Sequence, residues 1–306
     1  MHLVDFGRFF EASPQSPGQP KKTCKTPVDS ICYTLIMAIQ VHQIFYMDSQ
    51  KGLLDPSFRP FDNAQAIFPY NYEFGVIYKS SGQQPLTTDE LRGFVSWKFG
   101  AKTGVDGARF KNFIEANPGY DVYSINPFPG FSFFRSVWQQ GDFFHPGMMA
   151  LAQRAMDNSG YHLNLQQIEN DSTDTLYCNF WVGNKKFWQM FMDFSGPLWK
   201  YFENEASAEE RKMYAAPADN LSNAPYSAYL FERLYSTFMA TPKAKAEIRS
   251  IIYPYSLAEL RRKYSALFAI GIWALLRWDS SWARPLLRPV KPLVTLFLRS
   301  RLSRPS

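Results

Sequence analysis

The side chains best suited to chemistry are two lysines four apart, Lys98 and Lys102, in the stretch Gly93-Phe-Val-Ser-Trp-Lys-Phe-Gly-Ala-Lys-Thr-Gly. Ammonium groups just past the end of a strand would neutralise a diphosphate leaving group directly, the work a metal ion does elsewhere. The competing reading is a pair of solvated surface lysines. His145, three residues after Asp142 and just before Pro146, is a candidate general base, because a neutral imidazole accepts a proton near pH 7. Asp142, Asp121 and Glu232 are rival bases. Glu232-Arg233 also fits a buried ion pair that fixes a helix against a sheet. Asn179, inside an apolar run, must find hydrogen-bond partners in backbone or in a sugar hydroxyl. The catalytic candidates are thus His145, Asp142 and Glu232, and the substrate-binding candidates are Ser96, Lys98, Lys102, Asp121, Asn179 and Arg233.

Several familiar signatures are missing: a Gly-x-Gly-x-x-Gly turn, a Walker loop, a Gly-x-Ser-x-Gly elbow and a His-Glu-x-x-His helix. Asp-x-Asp, the carboxylate pair that holds a divalent metal on a nucleotide diphosphate, is missing too. Its nearest approaches are Asp121-Val-Tyr and Asp171-Ser-Thr-Asp, so Mg or Mn is allowed as a cofactor and not required. Cys24, Cys32 and Cys178 are widely spaced and imply no zinc site or disulfide framework.

These residues need elements to position them. Gly93 to Phe99 alternates as a strand, with Phe94, Ser96 and Lys98 on one side and Val95, Trp97 and Phe99 on the other. Ligands of open α/β sheets bind outside the carboxyl ends of the strands, where the lysines fall. An apolar run ending at Phe45 suits a first buried strand. Asp121 opens another, closed by Pro127 and Pro129, and Leu176 to Lys185 reads as a further strand. Helices are expected over residues 106–116, 148–158, 187–203 and 227–240, the last carrying Glu232 and Arg233, while residues 206–223 read as polar connection.

The chain has 306 residues, 46% hydrophobic and 17% aromatic, enough for one large domain with a substantial core. Residues 1–27, broken by Pro14, Pro17, Gly18, Pro20 and Pro27 and lacking a secretory apolar core, read as a flexible leader. The net charge of +6 lies in the last thirty residues, where seven basic side chains face Asp279 alone. Charge confined to one end beside apolar runs favours an anionic membrane surface over nucleic acid. Ala266 to Leu276 is the longest uncharged apolar run of the tail, shorter than the roughly 20 residues a spanning helix needs. With Trp273, Trp278 and Trp282, and the run Leu293 to Leu298 beyond Pro285, Pro289 and Pro292, it suits an amphipathic tail lying in a membrane interface.

The ordered set Gln43-Ile-Phe-Tyr, Phe61-Asp-Asn, Gly93-Phe-Val-Ser-Trp-Lys-Phe, Asp121-Val-Tyr with Asn126-Pro-Phe, Trp138-Gln-Gln-Gly-Asp with His145-Pro-Gly, Tyr177-Cys-Asn-Phe-Trp-Val and Phe231-Glu-Arg-Leu resembles a family of bacterial proteins encoded among polysaccharide-synthesis enzymes. More distantly it is similar to GT-A glycosyltransferases with a Gly-Leu-x-His-Tyr-Arg-Arg-Tyr-Phe strand and a late Glu-Arg-Leu helix. Ser96-Trp97-Lys98-Phe99 stands at that strand and Glu232-Arg233-Leu234 at that helix, with Lys98 alone where the relatives carry an arginine pair. The resemblance implies an α/β, GT-A-like (Rossmann-related) mixed sheet flanked by helices over residues 28–250, followed by the basic amphipathic tail, residues 251–306. It further implies a nucleotide-sugar donor, a glycan or lipid-linked acceptor and a cytoplasmic protein peripheral at the inner membrane. The rival is a non-catalytic glycan-binding or scaffolding protein of a polysaccharide-synthesis complex.

Overall fold

A computed structural model describes residues 37–65, 72–83, 85–218 and 224–279, with Leu286 and Lys291 beyond them. The expected leader lies outside the described residues, as does the run Leu293 to Leu298. Six strands form one mixed sheet: β1 (Ala38–Phe45), β2 (Arg59–Asp62), β3 (Glu90–Ser96), β4 (Val122–Ser124), β5 (Trp181–Gly183) and β6 (Ser250–Ile252), in the order β2-β1-β3-β5-β4-β6. Strand β5 runs antiparallel to both neighbours, and the other pairs are parallel. From β1 the chain adds β2 on one side and β3 on the other. The strand order therefore reverses between β1 and β3, the switch point at which open α/β sheets bind ligands.

Strand β3 is buried along its whole length, as befits a central strand covered on both faces. Gly93 is required there, since a Cβ would lie 2.2 Å from the Trp181 carbonyl oxygen across the β3–β5 pair. One face of the sheet carries Ile44, Phe94, Val122 and Trp181 against the helices Tyr72–Gln83, Val137–Phe144, Met148–Asn158, Lys185–Lys200 and Tyr226–Glu232. The other carries Val41, Val95, Tyr123 and Val182 against Phe99–Thr103, Gly107–Ala116, Leu257–Lys263 and Ala266–Asp279.

Several elements depart from the sequence expectation. The strand of the lysines ends at Ser96, and a helix begins at Phe99 with Lys98 as its N-cap residue. The 176–185 run is strand only at Trp181–Gly183, and Cys178 before it adopts a left-handed φ of 66° that strand residues do not take. Residues expected to connect include the helix Ala208–Ala215, started by a Ser207/Glu210 capping box. The late helix divides at Arg233 into Tyr226–Glu232 and Leu234–Met239. There the Arg233 amide donates to Leu230 O three residues back, and its guanidinium caps the Tyr229 carbonyl thereby released. The expected boundary at residue 250 falls on the first residue of β6. Beyond it Tyr253, Tyr255, Leu260, Ala269 and Ile272 pack into the core.

Candidate active site

At the carboxyl ends of β1 and β3 the Gln43 side chain bridges the switch point. Its Nε2 donates to the Ser96 and Trp97 carbonyls, both at 3.3 Å, and its Oε1 accepts from the Asp55 amide at 2.7 Å. Beyond this brace the short Phe99–Thr103 helix places Lys102 over the sheet edge. Its Nζ donates to Cys178 Sγ at 3.1 Å and lies 5.8 Å from the centre of the Phe180 ring. Burial acts to discharge this ammonium, but Cys178 and the carboxylates of Glu232 and Glu73 more than offset it, holding Lys102 above the ordinary lysine range. Burial and the nearby Glu232 charge push the Cys178 thiol up to about 12, so at neutral pH it is a protonated acceptor and the two glutamates supply the negative field. Burial likewise raises Glu73, with Lys102 opposing and Glu232 reinforcing.

Three elements far apart in sequence thus converge: Glu73 on the first turn of Tyr72–Gln83, Lys102, and Glu232 at the end of Tyr226–Glu232. Lys98, exposed and stacked 4.9 Å from the centre of the Trp97 ring, acts on Glu73 from the rim. Lys263 braces the cluster from beneath. Its Nζ donates to the carbonyls of Lys102 (2.5 Å), Thr103 (3.3 Å) and Pro127 (2.6 Å), and burial lowers its pKa to about 8.

The same edge holds polar atoms left without partners. Asn63 Nδ2, Ser96 Oγ and Asn179 Oδ1 are buried and have no hydrogen-bond partner among the described residues. The β3–β5 register pairs Arg92 with Gly183 and Gly93 with Val182, and Asn179 lies two residues before β5. Alternation puts Ser96 on the face of Phe94, and Asn63 follows by two residues Phe61, whose ring packs edge-on to Phe94 at 5.6 Å. Buried polar atoms in native proteins nearly always have partners, so these three are candidates for contact with a ligand.

The remaining candidates are placed differently. Arg233 is buried, and its guanidinium donates to Val137 O (3.0 Å), Tyr229 O (2.8 Å) and Gln140 Oε1 (2.6 Å). Gly141 makes room for it, since a Cβ there would meet Arg233 Nε at 2.7 Å. Asp142 Oδ1 accepts from the amides of Gly147 (3.1 Å) and Met149 (3.3 Å), joining two helices, and His145 caps the first of them with its ring stacked 4.1 Å from that of Tyr229. A surface groove of about 1130 Å³ passes Asp142, lined mostly by exposed side chains of one helix and the loop after it. Asp121 precedes β4 at the opposite edge of the sheet, where it accepts from Asn184 Nδ2 (2.9 Å) and the Arg249 amide (2.8 Å). Asp171 and Asp174 close a turn on themselves, Asp171 accepting from the Thr173 amide and Asp174 from the Asp171 amide, both at 2.8 Å. Among the described residues no group of three or more His, Cys, Asp or Glu is placed to hold a metal ion.

Sequence reasoning placed Lys98 and Lys102 past the end of this strand and named Ser96, Asn179 and Glu232 as candidates without setting them together. It gave no role to Asn63, Glu73, Cys178 or Lys263. No family model and no curated protein matches the chain. Its backbone is similar to the apo structure of WbbM, a bifunctional glycosyltransferase, with a TM-score of 0.45 and 12% identity, over 70% of this chain and 44% of that one. The chain therefore spans less than half of that protein's length, and a likeness at this level carries no inference about chemistry.

Proposed function

We propose that the protein is a glycosyltransferase that moves a sugar from a nucleotide-sugar donor to a bacterial surface glycan or lipid-linked acceptor. The observation that carries this reading is Lys102, a half-buried ammonium past the carboxyl end of β3, placed on the Cys178 thiol at 3.1 Å and held charged in the field of Glu232 and Glu73. Such a cation suits a diphosphate whose negative charge grows as the bond to the anomeric carbon breaks. Lys98 lies at the rim to share that charge, and Asn63, Ser96 and Asn179 offer unmet donors and acceptors to the hydroxyl-rich parts of the donor. Glu232 is the base: it takes the proton of the acceptor hydroxyl as the oxygen bonds to the anomeric carbon and the diphosphate departs. Glu73, raised by burial, positions Lys102.

The Ala266–Asp279 helix supports peripheral attachment to the inner face of a membrane. It buries Ala269, Ile272 and Leu275 and leaves Leu267 85%, Ile270 42% and Trp278 57% exposed, with Arg261 and Arg262 exposed on the helix before it. Among the described residues no helix is long and apolar enough to cross a membrane. Each basic residue near an anionic surface contributes about 1 kcal/mol.

A panel of nucleotide sugars, read by thermal shift and by donor hydrolysis, tests the proposal. Stabilisation with turnover supports the transferase. No response to any nucleotide overturns it in favour of the glycan-binding scaffold. Binding to anionic liposomes that weakens as salt rises is expected of the attached form.

A further inference from the structure

A second cleft lies on the carboxyl edge of the sheet, beyond β4 and β6 and beneath the Ala266–Asp279 helix. Its volume is about 660 Å³, within the roughly 300–1,000 Å³ typical of small-ligand sites. Tyr253, Tyr255 and Trp273 contribute aromatic walls, and Asn126 and Thr173 add polar groups. The two tyrosines are held rigidly, Tyr253 donating its hydroxyl to Glu259 Oε1 at 2.8 Å and Tyr255 to Thr103 O at 3.2 Å. Arg277 is the one charged residue among the described residues of the lining, and its guanidinium stacks 4.2 Å from the centre of the Trp273 ring. A guanidinium stacked by its face carries its N–H donors around its edge, an arrangement suited to bidentate contact with phosphate.

The cleft is tied to the Lys102 site. Thr103, which receives the Tyr255 hydroxyl, follows Lys102 directly, and Lys263 bonds both carbonyls. It also borders the helix whose outer face is apolar, with exposed Trp278 next to Arg277. Aromatic walls, a single cation and an apolar flank fit a ligand with a sugar ring, a phosphate and an alkyl chain.

We infer that this cleft takes the phosphate-bearing end of the glycan acceptor, with Arg277 on the phosphate and the aromatic walls about the adjoining sugar. The inference rests on the transferase reading and names where its acceptor lies. A sugar phosphate can come from a lipid-linked carrier or from solution, and the probes separate the two: an octyl-phosphate-linked hexose below its micelle concentration, a hexose 1-phosphate, and an octyl hexoside without phosphate.

Titration calorimetry on the full chain should show the two phosphate-bearing probes binding more tightly than the octyl hexoside. Arg277→Gln should weaken them about tenfold or more, and Arg277→Lys should recover part of the loss. A tighter octyl probe marks the lipid-linked source, and equal affinities mark the soluble one. Arg277 is exposed, and an unchanged melting temperature confirms that its variants fold. The inference is overturned if Arg277→Gln binds both phosphate probes as tightly as the unaltered chain. It is also overturned if Lys102→Met abolishes their binding while Arg277→Gln does not, since the phosphate then sits at the donor site. Neither result touches the donor reading, which stands or falls on the nucleotide-sugar thermal shift.

Discussion

Lys102, half-buried, and Arg233, buried, are cations that both feel the charge of Glu232, and they are wired in opposite ways. Arg233 gives a donor from each of its three nitrogens to two backbone carbonyls and a glutamine, partners that belong to the fold. Lys102 has a thiol, a weak acceptor, as its hydrogen-bond partner and is otherwise balanced through space by two half-buried carboxylates. A stronger acceptor such as a phosphate oxygen can replace the thiol without breaking any secondary structure. The contrast teaches that burial of a charge says little about its role. What its hydrogen bonds are attached to says more.

The largest effect expected from this contrast is at Glu232, which faces both cations. Glu232→Gln should lower turnover by roughly 10²–10⁴ with donor affinity nearly intact; a fully active, folded variant would move the base to His145 or Asp142. Arg233→Met should destabilise the fold by about 1.5–3 kcal/mol and leave donor affinity unchanged, as read by urea unfolding and calorimetry. Arg233→Lys should not restore stability, because an ammonium cannot reproduce the three-way fork. If Arg233→Met instead weakens donor binding, the division between the cations fails.

Lys102→Met should do the reverse, weakening nucleotide-sugar binding by about 1.5–3 kcal/mol at little cost in stability. The smallest effect is a slope with pH at Asp174, a second charge committed to the fold. Burial, and then the charge of Asp171, raise its pKa from 3.8 to about 7. The folded state therefore binds the extra proton between pH 4 and 7, and the contribution of this group to stability falls as pH rises through that window. Asp174→Asn should flatten that part of the stability profile, and an unchanged slope in urea titrations at pH 4, 5.5 and 7 would assign it elsewhere.

Much of this arrangement was legible in the sequence where pattern and chemistry are local. Lys98 and Lys102 could be set past a strand end because the Phe94-Val95-Ser96 alternation and the following glycines mark that end. The helices Gly107–Ala116 and Met148–Asn158 carry their apolar spacing openly. Strands β4 and β5 could be read only with overlong bounds, and β6 not at all. Only three residues each of β4, β5 and β6 pair, and their existence depends on neighbours up to 128 residues away. Glu73 was hidden because its pairing with Lys102 is set by the sheet crossing between them. His145 and Asp142, catalytic candidates by residue type, lie at the turn between two helices, where Asp142 accepts from two backbone amides and the His145 ring stacks on Tyr229.

Lys263 joins the carbonyls that end the Lys102 helix to the chain leaving β4, and it lies late in the sequence. During synthesis the sheet strands β1 to β5 emerge long before it does. A nascent chain can therefore assemble most of the sheet while the cleft still lacks its floor. The carbonyls of Lys102 and Thr103 gain this brace only after residue 263 clears the ribosome, and a chain ending at Ser256 would hold Lys102 by its Cys178 contact without it.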